Sequence, residues 1–335
     1  MNYNYQPQVY ANRIILENQK KREIRKTLSG LGFMVFTENL LFIFMFVTFS
    51  LITGFSPILE SEFYVNNYYA IVNLFQGIVL FTSMVGIGLL YCAFSSTKIS
   101  SVISFTPVKP AKFIAYVLFG LGIGYLANYI TTVFLNNIQL IGITNTVSTD
   151  LGKTDTLGYI VSTFITAVTP AFAEEFVFRG IIFGKLRKYG DGYAILVSAL
   201  IFSLMHTNLL QIPFAFIGGV MFAYLTAKTN SLLPSMTVHF LNNLLSCIQG
   251  IIVDEGGTYI SNFLPNVIFF AVLILGLLAF IYLCKKDKAF LSLTSGNNYS
   301  ELSLKTKFGL LFSNAGSLLT IILLVICTLQ VTKFG

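Results

Sequence analysis

The sequence predicts an all-α fold: a polytopic transmembrane helical bundle of eight or nine helices with its N-terminus in the cytoplasm. Three observations predict it. Of 335 residues, 55% are hydrophobic and only 10% charged, against roughly 45–50% and about 25% in soluble domains, and the mean hydropathy is +0.76. Apolar runs long enough to cross about 30 Å of hydrocarbon recur along the chain. The Lys and Arg residues gather in alternate intervals between those runs, as the positive-inside rule requires of a correctly parsed membrane protein.

Nine runs are read, near residues 31–53, 68–94, 113–135, 157–183, 193–210, 211–227, 231–253, 262–283 and 308–330. The fifth and sixth are short and meet at a turn around Asn208 to Pro213, so a re-entrant or tilted pair is an alternative and the count falls to eight. Arg13, Lys20, Lys21, Arg22, Arg25 and Lys26 precede the first run; Lys98, Lys109 and Lys112 follow the second; Lys185, Arg187 and Lys188 follow the fourth. Lys228 follows the sixth, and Lys285, Lys286, Lys288, Lys305 and Lys307 follow the eighth. These are 18 of the 21 cations, all on one side, which the rule makes cytoplasmic. The opposite intervals carry Glu60, Glu62, Asp150, Asp155, Asp254 and Glu255, with only Lys153 and Lys333 as cations. The C-terminus is therefore expected outside.

The chain divides into a basic cytoplasmic segment at 1–30, N-terminal transmembrane helices at 31–156, a central core at 157–253 and C-terminal transmembrane helices at 254–335. Residues 10–29 mix Ile14, Ile15 and Leu16 with the basic cluster, which suits either an interfacial amphipathic helix or a solvated tail that sets topology. The first 26 residues lack the apolar core of a cleavable signal peptide. A net charge of +7 lies in loops, so it orients the protein rather than pointing to nucleic acid. Cys92, Cys247, Cys284 and Cys327 form no CxxC pair, and neither a disulfide framework nor a zinc knuckle is indicated. Gly120, Gly122 and Gly124 offer the third helix a surface for close packing. The composition, rich in Asn, Ile, Phe and Lys and without Trp, fits a bacterial source and a bacterial cell membrane.

A charge inside an apolar span costs about 2.5–3.5 kcal/mol on insertion scales, so each one needs a reason. The fourth run holds three of them: Glu174, Glu175 and Arg179. Glu175 and Arg179 are four apart and share a helix face, while Glu174 is rotated by about 100° and lacks that partner. An unpaired carboxyl among Phe172, Phe176 and Phe178 is placed as a general base or acid is placed. The chain has two histidines and both lie in apolar runs, His206 in the fifth and His239 in the seventh, where His239 and Asn243 are four apart. At about 1.5 Å per residue, Glu174 and His239 each lie roughly 16 Å from the nearest cytoplasmic lysine, Lys185 and Lys228. His206, about 18 residues from Lys188, comes out deeper by the same measure, part of that interval being loop, and the three helices can converge below the cytoplasmic face. Pro170 removes the backbone bond to Thr166, which kinks the helix and frees a carbonyl, and Pro234 suits a first helical turn.

Glu-Glu-x-x-x-Arg at 174–179, Phe-x-x-x-His at 202–206 and His-x-x-x-Asn at 239–243, in that order, resemble the signature of the CPBP family, the type II CAAX prenyl endopeptidases and their bacterial relatives, also called the Abi family. The resemblance covers 157–253. It implies an intramembrane endopeptidase in which Glu174, with His206, activates a water, His239 and Asn243 stabilise the oxyanion, and Glu175, Arg179 and Phe202 support them. No cofactor is favoured. If a metal is used, Zn²⁺ on Glu174, His206 and His239 is the arrangement that the residue types allow. The expected partners are the lipid bilayer and a peptide or membrane-protein substrate, with a role in peptide or bacteriocin processing or immunity. A non-catalytic immunity or scaffold protein binding a peptide or sensor is the second reading, and a proton-coupled carrier is the third.

Overall fold

A computed structural model describes residues 7–54, 62–145, 156–255, 257–293, 299 and 302–334. The outer-loop charges Glu60, Asp150, Lys153 and Asp155 lie outside the described residues. The helices are α1 (Pro7–Gly54), α2 (Glu62–Phe94), α3 (Ile99–Val102), α4 (Pro110–Leu140), α5 (Thr156–Glu174), α6 (Gly184–Leu186), α7 (Asp191–Met205), α8 (Ile212–Thr229), α9 (Leu233–Glu255), α10 (Gly257–Lys286), α11 (Leu304–Leu311) and α12 (Ala315–Val331). Two three-residue strands, β1 (Ile143–Asn145) and β2 (Thr332–Phe334), pair antiparallel.

Among the described residues, seven helices are long and apolar enough to cross a membrane. Counting the bent pair α11 and α12 as one span makes eight. The ninth run is thus not continuous: it breaks by 71° after α11. The break has a local cause, since Asn314 accepts a hydrogen bond from the Ser317 amide at 2.9 Å and caps a new helix. The fifth run forms α7, which at 15 residues rises about 22 Å and falls short of the hydrocarbon thickness. Its turn into α8, around His206 to Gln211, therefore lies at depth. Pro213 and Pro234 both occupy the first turns of their helices, α8 and α9, where a missing N–H costs nothing.

Close backbone approach explains two glycine pairs. A Cβ on Gly122 of α4 would lie 2.8 Å from the Gly276 backbone of α10, and a Cβ on Gly32 of α1 would lie 2.3 Å from the Gly316 backbone of α12. In the second crossing Thr320 Oγ1 donates to the Gly32 carbonyl at 2.6 Å.

The loops predicted to share a side meet at one end of the bundle. Lys188 bonds Glu23 at 2.6 Å, Lys185 bonds Thr97 at 2.7 Å, Arg187 bonds Asn230 at 2.7 Å, and Lys228 bonds the Ala289 carbonyl at 2.7 Å. Lys112 and Tyr116 both donate to Asp287, at 3.0 and 2.9 Å. Partial burial raises the Asp287 pKa, but these two bonds and the lysine charge outweigh it and hold the carboxyl below its usual value. The pairing of β1 with β2 joins the far end of α4 to the end of α12, so those two ends also lie together. In α1, the basic segment packs only from Ile24 and Leu28, which are buried, while Ile14, Ile15 and Leu16 stay exposed.

Candidate active site

The site forms where α5, the α7–α8 turn and α9 converge. After Glu174 the α5 helix loosens into a π-helix over Glu175–Phe183, a conformation that often marks functional positions. Pro170 stands four residues upstream. The carbonyl it frees, that of Thr166, accepts a hydrogen bond from Asn243 Nδ2 at 3.1 Å. Asn243 thereby ties α9 to α5 and keeps one amide hydrogen for another acceptor.

Glu175 and Arg179 are fully buried and pair at 2.9 Å. The guanidinium lies over the rings of Phe202 and Phe222, at 4.1 and 4.9 Å from their centroids, in a cation–π sandwich. The same Glu175 oxygen meets His239 Nδ1 at 3.0 Å. His239 stacks on Phe222 at 4.7 Å with an interplanar angle of 17°. Its other nitrogen, Nε2, faces Glu174 Oε2 at 3.7 Å, beyond hydrogen-bonding distance. The imidazole is therefore clamped at one end and aimed at Glu174 with the other.

Glu174 Oε2 is buried and has no hydrogen-bond partner among the described residues. A buried carboxylate oxygen in that state needs a water or a ligand. His206 follows α7, and its Nδ1 lies 3.0 Å from the Phe202 carbonyl. A carbonyl only accepts, so Nδ1 donates and Nε2 of the neutral ring presents a lone pair. Phe202 also packs edge-on against Phe178, Phe222 and both histidines, which makes it the steric hub of the site.

Glu174, Phe202, His206, His239 and Asn243 all line a cavity of about 710 Å³. Glu175 and Arg179 lie behind it. The cavity extends along α4 and α9 away from the cation-bearing end, past Asn128, Thr131, Asn242, Ser246 and Gln249. Tyr125 Oη and Thr131 Oγ1 are buried on its wall with no partner among the described residues. A second cavity of about 110 Å³ lies on the other side of Glu174, between it and Glu38 and Asn39 of α1. Sequence reasoning missed Glu38, although a carboxyl within the run 31–53 is the same signal that singled out Glu174.

Among the described residues, no three His, Cys, Asp or Glu side chains are disposed to hold one metal ion. His239 faces a carboxylate through each nitrogen. No step below is routed through a metal ion.

Residues 156–245, which contain every one of the three motifs, match the family described as Type II CAAX prenyl endopeptidase Rce1-like. The central segment is therefore similar to that family, in about a quarter of the chain. The chain is 29% identical over 122 residues to the UPF0177 protein YxdF of Lactococcus lactis, covering 35% of this chain and 66% of that protein. It is 34% identical over 87 residues to the membrane-embedded CAAX protease MroQ of Staphylococcus aureus, covering 24% of this chain and 35% of that protein. The chain thus spans less than two thirds of the length of each of these relatives. No solved structure matches. With seven or more apolar helices among the described residues and bacterial relatives, one of them membrane-embedded, this is a multi-pass protein of a bacterial membrane.

Proposed function

We propose that the protein is an intramembrane endopeptidase that hydrolyses peptide bonds of membrane-associated or secreted-peptide precursors by a glutamate-activated water. The observation that carries this reading is the Glu174 oxygen without a partner among the described residues, buried beside His206 and His239 at the head of a large cavity with polar groups along its wall. The similarity to the family and the likeness to a named membrane-embedded CAAX protease support a peptidase.

In this reading a water sits between Glu174 and His206 Nε2. Its oxygen attacks the peptide carbonyl carbon, and its proton passes to Glu174. The carbonyl oxygen becomes an oxyanion, which accepts from the remaining amide hydrogen of Asn243 and from His239 Nε2 when that ring carries both protons. Collapse of the tetrahedral intermediate breaks the C–N bond, and the proton held by Glu174 goes to the leaving amine. Glu175 orients His239, and Arg179 balances Glu175. The neutral amides and hydroxyls along the cavity, including the unpartnered Tyr125 and Thr131, suit an extended peptide whose N–H and C=O groups need partners inside a membrane. Processing of secreted peptides or bacteriocins, or immunity to them, is the role this substrate class suggests.

The test uses purified wild type and Glu174→Gln in lipid nanodiscs against a pool of membrane-anchored and secreted-peptide precursors, with and without a chelator. Cleavage by wild type alone is expected, with at least a hundredfold loss in the variant, on the order of general-base contributions. Equal cleavage by both would remove Glu174 from the mechanism. Loss of wild-type cleavage on chelation would replace the metal-free reading. Binding of a precursor by both proteins without cleavage would favour the non-catalytic immunity or scaffold role.

A further inference from the structure

The larger cavity continues well past the three motifs. Along α9 it runs from His239 to Gly250, and along α4 from Gly124 to Leu135. At about 1.5 Å per helical residue each wall is about 16 Å long, which an extended chain at about 3.3 Å per residue covers with about five residues. The helical repeat puts Tyr125, Asn128 and Thr132 on one face of α4, with Thr131 beside them, and Asn242, Ser246 and Gln249 on one face of α9. The two walls come closest at the inner end, where a Cβ on Gly124 would lie 3.1 Å from Asn242 Oδ1.

Two hydroxyls on the α4 wall stand out. Tyr125 and Thr131 are 6% and 4% exposed, and Tyr125 Oη and Thr131 Oγ1 are buried with no hydrogen-bond partner among the described residues. Polar groups left in that state inside a membrane are costly unless a water or a ligand meets them. The tyrosine ring packs against Phe269 of α10, with 6.3 Å between centroids, which limits where its hydroxyl can go. Charge is confined to the head of the cavity: among its lining residues Glu174 is the one carboxylate, and no Lys or Arg takes part.

We propose that this stretch is a substrate subsite that takes about five consecutive uncharged residues in extended form on the outward side of the cleaved bond, with Tyr125 and Thr131 as its specificity-determining residues. The inference rests on the peptidase reading and adds which part of a substrate is read. α4 lies outside the segment 156–245 that matches the family, so the selection is made by a helix separate from the three motifs. Each residue of an extended peptide brings one N–H and one C=O into the membrane, and the amides and hydroxyls of the two walls supply their partners. An acyl chain would leave those wall groups unmet. A charged substrate side chain in this stretch would have no counter-ion, because none lines it.

Two arms, both in nanodiscs, test this. In the first, a precursor that wild type cleaves is scanned with Lys, and separately with Gln, at each position on both sides of the cleaved bond. A run of about five adjacent positions on one side is expected at which Lys lowers kcat/KM about tenfold or more while Gln is tolerated. Tyr125→Phe and Thr131→Val keep the shape of each side chain and remove its hydroxyl. Each is expected to raise KM about three- to tenfold with little change in kcat, and to unfold no earlier than wild type, since a hydroxyl without a partner holds nothing in the free protein. Lys sensitivity that is absent or spread evenly over both sides, or variants with the wild-type KM, would overturn the proposal. The second arm does not depend on cleavage. Binding of a fluorescent decapeptide of Leu, Ala, Ser and Gly to Glu174→Gln is expected to weaken at least about threefold when Tyr125→Phe and Thr131→Val are added, and about tenfold when the peptide carries a central Lys. Equal affinities, or no binding of the neutral peptide, would overturn the subsite. If wild type cleaves no precursor while this second arm succeeds, the peptidase reading falls and the subsite stands.

Discussion

Glu175, Arg179 and His239 form one buried unit whose members cannot be removed singly without consequence. Arg179 has no exposure at all, and its charge is balanced chiefly by Glu175. Replacing Glu175 by Gln leaves a buried guanidinium facing a neutral amide, and breaking a buried pair in this way costs about 3–5 kcal/mol. We predict a clear fall in the thermal unfolding temperature of Glu175→Gln in nanodiscs, larger than for Glu174→Gln, whose side chain has, among the described residues, no cation within pairing distance except the edge of His239. Equal stability of the two variants would refute the assignment of Glu175 to the ion pair and Glu174 to the cavity. The distinction between the two glutamates was legible in the sequence, because a helix places residues four apart on one face. The bridge from Glu175 to His239 was not legible. It joins residues 64 apart, and nothing in the spacing of either motif says which carboxylate a histidine on another helix will meet.

At the scale of elements, the departure from expectation is the π-helix after Glu174. A kink at Pro170 follows from the missing N–H, but the wide turn that carries Glu175 to Phe183 depends on packing against α7 and α8, which local sequence does not encode. The freed Thr166 carbonyl was predictable and its partner was not, since Asn243 reaches it from 77 residues away. This contact yields a prediction by double-mutant cycle. Asn243→Ala leaves the carbonyl without its amide and is expected to cost about 1–2 kcal/mol of stability. Pro170→Ala supplies a backbone N–H within the same helix, so the double variant should recover much of that loss while cleavage stays low, because the amide proposed to meet the oxyanion is absent. Strict additivity of the two substitutions, measured by unfolding in nanodiscs, would show that Pro170 and Asn243 do not act on the same carbonyl.

For the whole molecule, the distribution of cations predicted which loops lie together, and the bundle agrees from independent contacts. The pairs Lys188–Glu23, Lys185–Thr97, Arg187–Asn230 and Lys112–Asp287 connect five separate intervals at one end. The number of spans was harder to read, because a periodicity of apolar residues cannot show that α7 stops short of the far interface or that Asn314 breaks the last run. Neither feature changes the sidedness. α7 and α8 form a hairpin whose two outer ends, at Arg187 and Asn230, meet through a hydrogen bond, so it returns the chain to the face it left. β1 and β2 then hold the end of α4 beside the end of α12. From the positive-inside rule, the cation-bearing end is cytoplasmic and the strand pair faces outward. In a background lacking the four native cysteines, Lys333→Cys on β2 is therefore expected to react with a membrane-impermeant maleimide in intact cells, and Lys288→Cys beyond α10 only after permeabilisation; both positions are exposed. The reverse pattern would invert the protein, and with it the direction in which the cavity runs from Glu174. Labelling of both positions in intact cells would place them on one face, with an even number of crossings between them, and would require the α11–α12 bend to return to the face from which α10 emerged.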